Sequence, residues 1–166
     1  GGQVKNPYAP ALMDDRGIPV LQPGGSSSCS AVAVAEGLCA ASIGTETSGS
    51  LLSPASQNGL VTVKPTVGLI SRSGIVPIAH SQDTVGPMTR TVADAALLLG
   101  IIAEADSRDS ATAANPSVPD YTNALDPDGL RGARIGIPRE IYWGYSDKAD
   151  AIAMAQEAGR KYVTIA

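Results

Sequence analysis

The stretch SCSAVAVAEGLCAAS, residues 28–42, constrains the fold more than any other part of the chain. It reads as a helix, yet it is apolar on nearly every face, with Glu36 as its only charge. A helix with no polar side must be buried by the rest of the chain. Ser26, Ser27 and Ser28 stand at its start as N-cap candidates. One Ser/Gly run, PGGSSSCS (23–30), leads into it, and a second, GTETSGS (44–50), follows it.

The remaining elements must supply that burial. LVTVKP (60–65) reads as a strand stopped by Pro65, and 67–79 as a hairpin-like extended region turning at Ser73-Gly74. TRTVADAALLLGIIAEAD (89–106) reads as a helix. Thr91 and Asp94 form its capping pair, and Ala95, Leu98, Leu99 and Ile102 form its apolar face. Residues 1–23 and 107–129 are rich in turn residues, the latter a long surface excursion. A short strand (133–138) and a last helix (148–162) are expected beyond it. With no Phe and one Trp in 166 residues, the core has to be aliphatic and rich in Ala. This order implies one α/β domain, a mixed sheet flanked by helices.

Several function classes are disfavoured. A net charge of −4 argues against an electrostatic nucleic-acid surface. No apolar run is long enough for a membrane span, and no signal peptide is visible. Cys29 and Cys39, if on one helix, would lie about 15 Å apart along its axis, too far for a disulfide. They are expected to be buried thiols of a cytoplasmic protein. Metal-ligand spacing is absent, and a single His80 builds no His cluster. No metal or cofactor is expected.

The two Ser/Gly runs can meet in space. A helix over 28–40 carries the chain about 20 Å away, and an extended 40–46 returns it by about 23 Å. Both runs would then sit beside a helix N-terminus, a setting that suits an oxyanion. Most Ser/Gly loops are simply turns. A phosphate loop would end in Gly-Lys-Ser/Thr, and a nucleophile elbow would read Gly-x-Ser-x-Gly; neither run has either pattern. His80 could act as a base to a serine, but in its apolar stretch a structural role is commoner.

Taken in order, the blocks PGGSSS, the Ala-rich helix, GTETSGS, VKPT and SQDTVGPMTRTVADAALLL resemble the amidase signature family over about residues 23–103. LRGARIGIPRE (130–140) resembles the segment that follows in that family, and the GTET loop its peptide amidase-like branch. The resemblance implies a partial amidase signature fold and a Ser–cis-Ser–Lys triad. The nucleophile falls on Ser50 and the bridging cis-serine on Ser26. The backbone N–H groups of Thr47, Ser48, Gly49 and Ser50 would form the oxyanion hole. Ser27 and Glu46 would support the two runs from behind. The substrate implied is a small-molecule or peptide amide, hydrolysed through an acyl-enzyme.

Some positions depart from the family pattern. Its catalytic lysine precedes the Gly-Gly-Ser-Ser turn in an apolar-flanked motif, which Lys5 in QVKNPY does not match. Lys64 in VKPT falls on a structural position. The lysine is therefore expected outside these residues, and the chain is expected to be a fragment. Glu46 stands where Asp is common, Ser48 where Gly or Asp is frequent, Cys29 where Gly is usual, and Leu52 where many members carry Arg. That Arg is found in the A-type subunits of tRNA-dependent amidotransferases, so Leu52 counts against this alternative. A non-catalytic amidase-fold fragment is a further alternative.

Overall fold

The computed structural model describes residues 2–115 and 120–133. The chain divides into two units, Gly1–Asn123 and Ala124–Ala166. In the second, the described residues 124–133 form successive turns, with Arg131 paired to Asp128. The strand expected at 133–138 and the helix expected at 148–162 lie outside the described residues, apart from Ala133.

In the first unit, three strands form one sheet: β1 (Ser42–Glu46), β2 (Val61–Thr62) and β3 (Thr84–Thr89). Their order is β1-β3-β2, and both pairings are antiparallel. Three helices accompany them, α1 (Ser28–Ala35), α2 (Leu52–Gln57) and α3 (Val92–Ile102). All six residues of β3 are buried. Its side chains alternate between two faces, as a strand requires. Met88 packs with Ala31 of α1, with Leu51 just before α2 and with Ala55 of α2. Val85, on the other face, packs with Leu99 of α3, Ala103 and Ile70. The sheet therefore sits between two small, mainly aliphatic cores, with Tyr121 packed against the second.

Helix α1 is shorter than the sequence suggested. It ends at Ala35, not Ala40 or Ser42, because Gly37 takes up φ +73 and closes a Schellman turn. The N–H of Leu38 reaches the carbonyl of Ala33, and that of Gly37 the carbonyl of Val34. Arg90 adds a side-chain bond to the Val34 carbonyl at 3.1 Å. The cysteines are not buried as expected: Cys29 is exposed and Cys39 half-buried. The first turn of α1 faces Cys29 to solvent, so the core makes no use of its side chain.

Helix α3 keeps its expected cap and face. Thr91 Oγ1 accepts the N–H of Asp94 at 3.1 Å, and Ala95 and Leu99 are buried. The expected strand at 60–65 contracts to two residues, Val61 and Thr62. Residues 67–79 form turns with no strand among them. The backbone polar groups there are met by side chains, chiefly Asp83 and Asp109, instead of a ladder. In the 107–129 stretch are two short 3-10 helices, Ser110–Thr112 and Tyr121–Ala124. Asp109 and Thr112 are buried there.

Candidate active site

The two Ser/Gly runs are in contact. The N–H of Ser27 donates to the carbonyl of Ser50 at 3.1 Å. The Ser27 hydroxyl both donates to the Thr45 carbonyl and accepts the Thr45 N–H, each at 3.1 Å. It thereby satisfies the outer edge of β1, and it makes no capping bond to α1. Ser28 likewise spends its hydroxyl on the Gly24 carbonyl, at 2.6 Å. So Ser27, expected as an N-cap, binds the two runs to each other, and Ser28 binds the first run to itself.

Close approach needs the absence of side chains. A Cβ on Gly24 would lie 2.7 Å from the backbone of Pro54, and Gly24 has φ +69. The first run can thus press directly on the start of α2. The Gly25–Ser26 peptide bond is cis. Ser26 is exposed and Ser50 half-buried.

The first three residues of the second run, Gly44–Glu46, end strand β1, and the rest, from Thr47 on, is a turn. Glu46, the last strand residue, is 4% exposed. One of its oxygens accepts the N–H groups of both Leu51 and Leu52 at 2.8 Å. These are donors that the start of α2 would otherwise leave open. Burial pushes this carboxyl up, but the N–H groups of Leu52, Leu51 and Gly49, with the charge of Lys64, outweigh it. The net effect is to hold Glu46 below the usual glutamate range. The carboxylate therefore stays ionised and closes the turn 47–50 from behind.

The near end of that turn is fastened differently. Thr47 Oγ1 donates to Asp83 Oδ1 at 2.5 Å. Asp83 immediately precedes β3 and also accepts the N–H groups of Ile78 and Ala79. Behind it, Arg72 forms a two-pronged pair with the buried Asp109, at 2.8 Å on each prong. Arg72 also donates to the carbonyl of His80, and the His80 ring lies against the same guanidinium. His80 is exposed and occupied with Arg72. A cavity of about 210 Å³ opens on this side, lined by Arg72, Ile75, His80 and Asp83 among others.

Between the two carboxylates, among the described residues none accepts from the N–H of Thr47, Ser48 or Ser50. Those donors are available to a ligand oxygen. The N–H of Gly49 also favours the ionised form of Glu46, although the hydrogen bonds to that carboxylate come from Leu51 and Leu52. Lys5 and Lys64 are both exposed.

Sequence reasoning missed Asp83, Arg72 and Asp109. Asp83 carries two readable signals: it lies in the SQDTVGPMTRTV block that carries the family resemblance, and a charge that borders an uncharged run, TVGPMT, has to find partners when that run is buried. Arg72 and Asp109 carry none, since they pair across 37 positions.

The family model described as Amidase matches residues 1–160. A protein of Arthroderma benhamiae that bears the name amidase is 51% identical over 143 residues, 85% of this chain and 23% of its own. The A-type subunit of the glutamyl-tRNA(Gln) amidotransferase of Salinibacter ruber is 49% identical over 141 residues, 85% of this chain and 25% of its own. Among solved structures, the native peptide amidase from Stenotrophomonas maltophilia superposes with a TM-score of 0.73 at 47% identity, over 93% of this chain and 34% of that one. The chain spans about a quarter of the length of the curated relatives it matches.

Proposed function

The chain belongs to the amidase family, and on that footing we propose that it carries the serine side of a site that hydrolyses a carboxamide. Ser50 is the nucleophile. Its Oγ attacks the amide carbonyl carbon while its proton passes through the Ser26 hydroxyl to a lysine. The carbonyl oxygen becomes an oxyanion facing the N–H groups of Thr47, Ser48, Gly49 and Ser50. The C–N bond then breaks, and the relayed proton leaves with the ammonia or amine. Water attacks the resulting Ser50 ester by the same relay in reverse, releasing the acid. A hydroxyl needs such a base within hydrogen-bond reach near neutral pH, and a desolvated neutral lysine can serve. In this reading the lysine comes from a part of the protein outside these residues, and the 166 residues are a portion of the catalytic domain. No cofactor takes part.

One observation carries the reading. The Ser27 N–H to Ser50 carbonyl bond holds the Gly-Gly-Ser-Ser turn against the end of GTETSGS, which supports a relay between serines of the two runs. The test is made on the full-length protein. Ser50→Ala should abolish amide hydrolysis without changing the melting temperature by more than a few degrees. A fluorophosphonate should label Ser50 in the wild type. Turnover that survived Ser50→Ala would sink the assignment.

The likeness to the A-type amidotransferase protein supports a second reading, in which the same serine releases ammonia within a complex. Leu52, which is exposed and uncharged where many such proteins carry Arg, weighs against it. Copurification of the full-length protein with partner subunits would favour it over the free amidase.

A further inference from the structure

We propose that Asp83 is a positioning residue for the oxyanion loop, acting through the hydroxyl of Thr47. The inference rests on the amidase reading above and gives a role to the aspartate of the SQDTVGPMTRTV block, 33 positions beyond Ser50.

The geometry begins in the sheet. Glu46, the last residue of β1, is opposite Thr84, the first of β3. The residues just beyond that rung, Thr47 following β1 and Asp83 preceding β3, are joined by the 2.5 Å hydroxyl–carboxylate bond. Asp83 is only 8% exposed and is held by three further backbone contacts, from Ile78 at 2.9 Å and from Ala79 to each oxygen at 3.1 Å. The hydroxyl of Thr47, those N–H groups and the nearby Arg72 charge all favour its ionised form. An ionised carboxylate only accepts, so the Thr47 hydroxyl has one role, that of donor, and one direction.

Thr47 is also the first of the four proposed oxyanion donors. Fixing its side chain fixes the peptide plane from which the turn 47–50 departs. Glu46 fixes the far end through Leu51 and Leu52. The turn is thus clamped at both ends by carboxylates, while the N–H groups of Thr47, Ser48 and Ser50 stay open. Donors aimed in advance are what stabilises a developing oxyanion, and a small misplacement costs much of the effect. Arg72, anchored on Asp109, offsets the negative charge that Asp83 brings near the site.

The test uses the full-length protein and the rate at which a fluorophosphonate labels Ser50. Phosphonylation puts negative charge on an oxygen that occupies the oxyanion hole. Thr47→Val, nearly isosteric but unable to donate, should slow labelling by at least about tenfold. Thr47→Ser should keep the rate within about threefold, and Asp83→Asn should fall with Thr47→Val. The pH profile of labelling should not move, since the base is untouched. Should Asp83→Asn fail to fold, Thr47→Val and Thr47→Ser still decide the matter. Equal labelling of wild type and Thr47→Val would overturn the positioning role and leave the amidase reading standing. Absence of labelling at Ser50 in the wild type would overturn both.

Discussion

The hydroxyl of Ser27 bridges the N–H and the carbonyl of Thr45 while its backbone N–H holds the carbonyl of Ser50. One residue therefore joins the start of α1, the edge of β1 and the end of the second Ser/Gly run. Ser27→Ala keeps the backbone bond but leaves both polar groups of Thr45 without their partner. Uncompensated buried groups cost about 1–3 kcal/mol each. These are half-buried, so the expected loss is about 1–2 kcal/mol. Urea denaturation of the full-length protein measures it. An unchanged midpoint would show that solvent replaces the hydroxyl freely.

Glu46 separates two effects that its substitutions can tell apart. Its carboxylate supplies one oxygen to two N–H groups at the start of α2. Glu46→Gln retains an acceptor but not the charge, whereas Glu46→Ala retains neither. The alanine variant is expected to lose about 2–3 kcal/mol and the glutamine variant about half of that. Labelling of Ser50 should slow in the same order, because the far end of the turn 47–50 loosens. Equal losses in both variants would mean that charge alone matters at this position.

Acid should weaken the first unit through its aspartates. Arg72 holds the Asp109 carboxyl well below the usual range, and the Arg108 side chain, with Ser71, does the same for Asp106. A carboxylate depressed in the folded state contributes stability that is fully present above its unfolded pKa, about 3.9. It is lost as the pH falls through the folded value. These groups therefore predict a flat stability from about pH 8 to about 5 and a decline below about 4. Asp109→Asn should be less stable at about pH 7 and should decline less steeply in acid. Thermal melts across that range check both, and a parallel acid limb in the variant would refute the assignment to Asp109.

What the sequence revealed and what it hid follow from the range of the interactions. The α3 cap was legible because Thr91 and Asp94 are three residues apart. The meeting of the two Ser/Gly runs was legible because chain length alone allowed it. The end of α1 was legible in principle, since Glu36-Gly37 is a helix-stop signal, but the apolar letters that continue to Ala41 outweighed it. Strand β3 was hidden because Gly86 and Pro87 are poor strand residues. It is stabilised by being covered on both faces, which no local pattern records. The same holds for the site. The position of Ser50 came from its motif, whereas Asp83, Arg72 and Asp109 work through partners far along the chain.

Leu51 follows Ser50 and seats it through two glycines. Gly44 and Gly86 face each other across β1 and β3. A Cβ on Gly44 would lie 2.6 Å from Leu51 Cδ1, and one on Gly86 would lie 2.5 Å from Leu51 Cδ2 and against the Val63 carbonyl. The two methyls of this fully buried leucine thus occupy the space that two side chains would fill. Gly44→Ala is expected to cost about 1–3 kcal/mol by overpacking, and Gly86→Ala more, since a backbone carbonyl cannot move aside as a methyl can. Leu51→Ala alone should cost about 2–5 kcal/mol through the cavity it leaves. The Gly44→Ala/Leu51→Ala double variant should lose less than the sum, because the new methyl enters the vacated space, with a coupling of about 0.5–3 kcal/mol. Denaturation of the full-length protein and its three variants measures the cycle, and strict additivity would show that Leu51 and Gly44 do not share that space.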